Sequence, residues 1–167
     1  MWLPRSFARC LFFAALCTVG PAAVQAESCR NTVDDIVRTE TTELLQTVVK
    51  DDPALSKMDE ETLVLQGGKT LLESPRPDFK ARGWMMLLWY GGKTGQDVVA
   101  QSAETLETEE DRAHLFLVMG MYQLRAKSPE TAAGGRSLLS QVRDTGKIDF
   151  LPDEMWTLFL ESCELPD

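Results

Sequence analysis

Residues 78–92 decide the fold: Asp78-Phe79-Lys80-Ala81-Arg82-Gly83-Trp84-Met85-Met86-Leu87-Leu88-Trp89-Tyr90-Gly91-Gly92. On a helix of 3.6-residue period, Phe79, Ala81, Trp84, Met85, Met86, Leu87, Leu88 and Trp89 fall on nearly every side, which leaves no polar face for water. A helix of that kind needs neighbours all around it. The segment Asp78 to Tyr90 is therefore the expected central helix of an all-α domain, set off by Pro75 and Pro77 before it and Gly91, Gly92 and Gly95 after it.

The rest of the chain reads as amphipathic helices on either side of this one. Upstream, Asn31 or Thr32 can cap a first helix carrying Val33, Ile36, Val37, Leu44, Leu45 and Val48 at helical spacing, with a stop at Asp51-Asp52-Pro53. Asp59, Glu60 and Glu61 open a second, where negative charge complements the macrodipole ahead of Leu63, Leu65, Leu71 and Leu72. Downstream, a fourth helix is expected from about Gln96 to Leu106, with Val98, Val99 and Ala103 inward. A fifth runs from Glu109 to about Lys127, and a sixth opens on Ser128-Pro129-Glu130 and runs to Arg143. A seventh starts near Pro152, with Trp156, Phe159, Leu160 and Cys163 on one stripe. No alternating run is long enough for a sheet.

Helices joined by Gly and Pro turns can form tandem units, and two candidate repeats stand at residues 62–95 and 114–146. Gly67 aligns with Gly120, and Ser74-Pro75 with Ser128-Pro129; each copy continues with alanine, twin leucines and a closing glycine. The spacing Ala81, Trp84, Leu87-Leu88, Gly91 resembles the second helix of the Sel-like subclass of tetratricopeptide repeats. Twin leucines stand where that family prefers twin alanines, and the second copy has Gly135 or Arg136 in place of the tryptophan. The resemblance implies a single domain of stacked antiparallel helical hairpins that binds proteins or peptides.

Residues 1–26 carry the signs of a secretory signal peptide. Arg5 and Arg9 form a basic start, Cys10 to Val19 is apolar, and Val24-Gln25-Ala26 offers a cleavage site before Glu27. Domain 27–167 is then expected to be periplasmic or secreted, without stable membrane insertion. Leu16 before Cys17 fits a lipoprotein site poorly. Loss of Arg5 and Arg9 leaves 26 acidic residues against 15 basic ones, a net charge of −11. Such a surface repels nucleic acid and anionic lipid and favours basic partners. Cys10 and Cys17 leave with the leader, and Cys29 and Cys163 remain to form one disulfide in an oxidising compartment.

Reactive chemistry finds little support. Gly67-Gly68-Lys69-Thr70 and Gly91-Gly92-Lys93-Thr94 look like the tail of a phosphate-binding loop, but Leu63 and Leu87 occupy the place of its first glycine. His114 reads as a surface or boundary residue rather than a general base. Two thiols and one imidazole are too few for zinc, and no cofactor or metal is expected. Glu104, Glu107, Glu109, Glu110 and Asp111 form an acidic cluster at a helix junction, a candidate patch for a basic partner. Trp89 and Tyr90, at the end of the central helix, are candidate aromatic anchors for a protein or peptide. The expectation is a noncatalytic protein-binding adaptor of the bacterial cell envelope. An acidic inhibitor or immunity protein against a basic toxin or hydrolase is the alternative. A carboxylate-dependent cell-wall hydrolase is the least favoured reading.

Overall fold

Short side chains cap three of the helix starts. Asp59 Oδ1 accepts from the Thr62 amide at 2.9 Å, Thr108 Oγ1 from the Asp111 amide at 3.0 Å, and Ser128 Oγ from the Thr131 amide at 3.3 Å. Pro77 and Pro129 occupy first helical positions, where a missing N–H costs nothing. The computed structural model describes residues 21–51, 55–145, 151 and 153–163. Among them are seven α-helices: α1 (Pro21–Asp51), α2 (Glu60–Leu72), α3 (Pro77–Tyr90), α4 (Gly92–Ala103), α5 (Glu109–Leu124), α6 (Pro129–Thr145) and α7 (Asp153–Cys163). A single 3-10 turn, Leu55–Lys57, precedes α2, and no strand occurs among the described residues.

Helices α4 and α5 end three residues before the expected Leu106 and Lys127, and two helix starts depart further from the sequence expectation. Asn31 and Thr32 do not cap α1 but lie inside it, because the helix already begins at Pro21 and the alanine-rich segment ahead of them has strong helix propensity. The glycines after α3 do not form an extended break either. Gly92, at φ +56°, makes the whole turn, and α4 starts there rather than at Gln96. Gly95 then lies against the Leu87 carbonyl, too close for any side chain. Most of the expected leader, residues 1–20, lies outside the described residues, as does the expected stop at Pro53.

Helix α3 is the centre. Ala81, Trp84, Met85, Met86, Leu87 and Leu88 are all buried, and α3 packs against α1, α2, α4 and α5. Val33, Ile36 and Val37 of α1, Val99 of α4, Leu117, Val118 and Met121 of α5, Leu139 and Val142 of α6, and Phe159 of α7 join it in the core. At the ends of the described domain, α1 packs on α7 and the Cys29–Cys163 disulfide joins them across a separation of 134 residues. Closing so long a loop contributes about 4–5 kcal/mol in the chain-entropy account. No helix among the described residues is long and apolar enough to cross a membrane.

Glycine lets two helix pairs approach more closely than side chains allow. Gly67 meets Met86 and Gly68 meets Leu87, while Gly83 meets Leu71 and Leu72, so α2 and α3 run antiparallel. A Cβ on Gly83 would stand 2.9 Å from the Gly68 carbonyl oxygen. The α5–α6 pair repeats this contact 52 residues on: Gly120 lies under Leu139, and a Cβ on Gly135 would stand 2.7 Å from the Gly120 oxygen. The packing therefore matches Gly120 to Gly68 and Pro129 to Pro77, one to two residues away from the register read in the sequence.

Neighbouring glycines on α6 give a direct test. Gly134→Ala places its methyl 3.0 Å from the mobile end of Gln123, so the gain in helix propensity of about 1 kcal/mol should prevail. Gly135→Ala drives its methyl into backbone and should destabilise the protein by about 1–3 kcal/mol despite the same propensity gain. Thermal denaturation should show the two midpoints moving in opposite directions.

Candidate functional site

The acidic cluster lies at the N-terminus of α5. Glu109, Glu110 and Asp111 fill its first turn, where unpaired amides favour negative charge. They do not share one fate. Glu104, Glu107, Glu109 and Glu110 are exposed, whereas Asp111 turns inward and is only 4% exposed. Its inclusion in an exposed patch is thereby corrected. The cause is Lys80 of α3, whose Nζ meets Asp111 Oδ2 at 2.7 Å. The other oxygen, Asp111 Oδ1, is buried and has no hydrogen-bond partner.

A pocket of about 370 Å³ opens above this pair, walled by Leu72, Trp84 and Leu106 and edged by Glu107, Glu110 and Asp111. The Trp84 indole is held in place because its Nε1 donates to Ser102 Oγ at 2.8 Å, and Ser102 in turn donates to the Val99 carbonyl at 2.8 Å. The pocket thus joins apolar walls to a carboxylate rim, with Lys80, already paired to Asp111, also in its lining. Glu104 and Glu109 do not line it. Lys80 and Ser102, which orient its two key side chains, carried no signal in the sequence, since their partners lie 31 and 18 residues away.

Beside the pocket, α3 is tied to α1 through charge. Arg82 bridges Glu40 of α1 and Asp78 of its own helix, and Arg76 also grips Asp78. Burial alone would raise the Asp78 carboxyl, but the hydrogen bonds and charges of Arg76 and then Arg82 outweigh it and hold it below its ordinary value of 3.8.

The aromatic pair Trp89-Tyr90 is divided by the helix. Trp89 is half-buried: its Nε1 donates to Asp34 Oδ1 at 2.9 Å, its ring meets Tyr122 edge-on at 5.2 Å, and Arg125 stacks 5.2 Å from its centroid. Tyr90 points away and is 40% exposed. His114 is corrected from a boundary residue to a buried one, 3% exposed, with Nδ1 donating to the Glu110 carbonyl at 2.8 Å. The glycine motifs serve packing: Gly67 and Gly68 form the α2–α3 crossing, and Lys93 pairs with Asp97 one turn along α4. Among the described residues no group of three His, Cys, Asp or Glu could hold a metal ion.

No family model, characterised protein or solved structure matches this chain.

Two outcomes follow from these charges. Asp111→Asn leaves Lys80 half-buried without its counter-ion and should cost about 2–4 kcal/mol in denaturant unfolding, whereas Glu107→Gln, on the surface, should change stability by less than about 0.5 kcal/mol. Because the folded state depresses the Asp78 carboxyl, its contribution is complete above the unfolded value near 3.8 and disappears as pH falls through the lower folded value. The melting temperatures of wild type and Asp78→Asn, apart at pH 6, should converge at acid pH.

Proposed function

We propose that the protein is an exported, noncatalytic binding module of the bacterial cell envelope, acting in the periplasm or outside the cell, whose acidic pocket takes a Lys or Arg side chain from a protein or peptide. The observation that carries this reading is Asp111 Oδ1, a buried acceptor without a donor at the edge of a pocket. Buried polar groups are almost always hydrogen-bonded, and an ammonium or guanidinium would complete this one. The rim carboxylates of Glu107 and Glu110 match the partner's charge, and Leu72, Leu106 and Trp84 match the aliphatic stem behind it. The disulfide between α1 and α7 suits an oxidising compartment.

The scaffold reading is a stack of antiparallel hairpins of the Sel-like, tetratricopeptide kind. It is supported by the glycine contact that recurs 52 residues apart in α2–α3 and α5–α6. The inhibitor reading draws on the same surface, because Glu104, Glu107, Glu109 and Glu110 stand exposed together around the α4–α5 junction. Against a basic enzyme they would act as a plug; in an adaptor the pocket would hold a single basic side chain.

Calorimetric titration with oligolysine and oligoarginine peptides tests the pocket. Glu107→Gln combined with Glu110→Gln should weaken binding about tenfold. Glu60→Gln combined with Glu61→Gln removes equal charge from the exposed start of α2 and should leave binding unchanged. Equal losses in the two pairs would mean that the peptides sense only net charge, and the pocket assignment would fall.

A further inference from the structure

The opposite end of α5, about 24 Å away along a helix of 16 residues, has the opposite charge. There a groove of about 490 Å³ opens between α1, the α5–α6 turn and the end of α7. Its wall carries Arg30, Lys127 and Arg136 beside the Cys29–Cys163 bond, and no carboxylate lines it among the described residues. The start of α6, at Ser128 and Pro129, borders the groove, its Ser128 hydroxyl already accepting from the Thr131 amide and donating to the Glu130 carboxylate.

What sets these three cations apart, in a chain with 26 acidic residues and 17 basic ones, is that they line one groove. Arg38, Arg76, Lys80, Arg82, Lys93 and Arg125 each sit against a carboxylate. Arg30, Lys127 and Arg136 have no such partner among the described residues. The Arg30 Nε, moreover, is buried and donates to nothing. Gathering three like charges around one concavity, with a buried donor left unmet, costs free energy that an anion in the groove would return.

We propose that this groove binds a small multivalent oxyanion, a polycarboxylate or a phosphate-bearing molecule. Guanidinium groups present paired N–H donors at the spacing of carboxylate and phosphate oxygens, and two of the three cations are arginines. The volume is that of a small-molecule site rather than of a protein interface. An adjoining recess of about 400 Å³ shares Arg30 and Lys127 and extends to Tyr122 and Arg125, giving the ligand's uncharged body an aromatic wall. Gln25 and Ala26 form one rim, so cleavage after Ala26 would widen the groove and leave its cations in place. The groove shares no lining residue with the acidic pocket, and its test is independent of the peptide titrations.

The test is a titration of the oxidised protein with citrate and, separately, inorganic phosphate at constant ionic strength, following the Arg30 Nε–H resonance by nuclear magnetic resonance. That resonance should move saturably at one equivalent. Lys127→Gln combined with Arg136→Gln, both on exposed positions, should weaken binding at least tenfold, while Lys93→Gln on α4 should leave it unchanged. A response to citrate alone assigns a carboxylate ligand, and a response to phosphate alone a phosphate. No saturable movement with either probe, or an equal loss in Lys93→Gln, would overturn the proposal.

Discussion

A helix without a polar face is the constraint on which this structure depends. From Ala81 to Leu88 every side chain of α3 except that of Arg82 is buried or, at Gly83, absent, so the chain must supply a surround of other helices. The glycines on α2 and α3 let that surround close tightly, and Ser102 answers the one indole N–H that would otherwise be stranded inside. The polar residues of α3 sit in its first turns and reach outward: Lys80 to Asp111 on α5, and Arg82 to Glu40 on α1. These partly buried ion pairs act less as sources of stability than as markers of register, since a helix that slipped past α3 would leave a charge unpaired.

The electrostatics follow the direction of α5. Acidic residues occupy its first turn, and Arg125 and Lys127 follow its last, each sign at the end of the macrodipole that favours it. A strongly acidic chain thus keeps a local concentration of positive charge at one end. Net charge, which suggested basic partners only, describes the average of this surface and hides its division.

What the sequence revealed depended on how local the cause was. The apolar run of α3, the Pro129 start of α6 and the stripe Trp156, Phe159, Cys163 all follow from spacing within one helix, and the structure places them as read. Asn31 is as good a cap as any, and only the helix formers upstream show that α1 runs through it from Pro21. Adjacent Gly67 and Gly68 look equivalent in sequence; packing against Leu87 selects Gly68 for the tighter contact. Asp111 looked like its exposed neighbours because Lys80, which draws it inward, belongs to another helix. Arg30, Lys127 and Arg136 are likewise scattered over three segments, and only the tertiary fold brings them together.

The position of the disulfide has a mechanical consequence. Cys29 and Cys163 bracket nearly the whole helical array, and their Cα atoms stand 4.6 Å apart. Tension applied through the segments that flank them would pass directly across the sulfur bridge and would not stretch the polypeptide enclosed between them. Under load the domain would behave as a short inextensible link, its helices shielded from force until a reductant cut the bond.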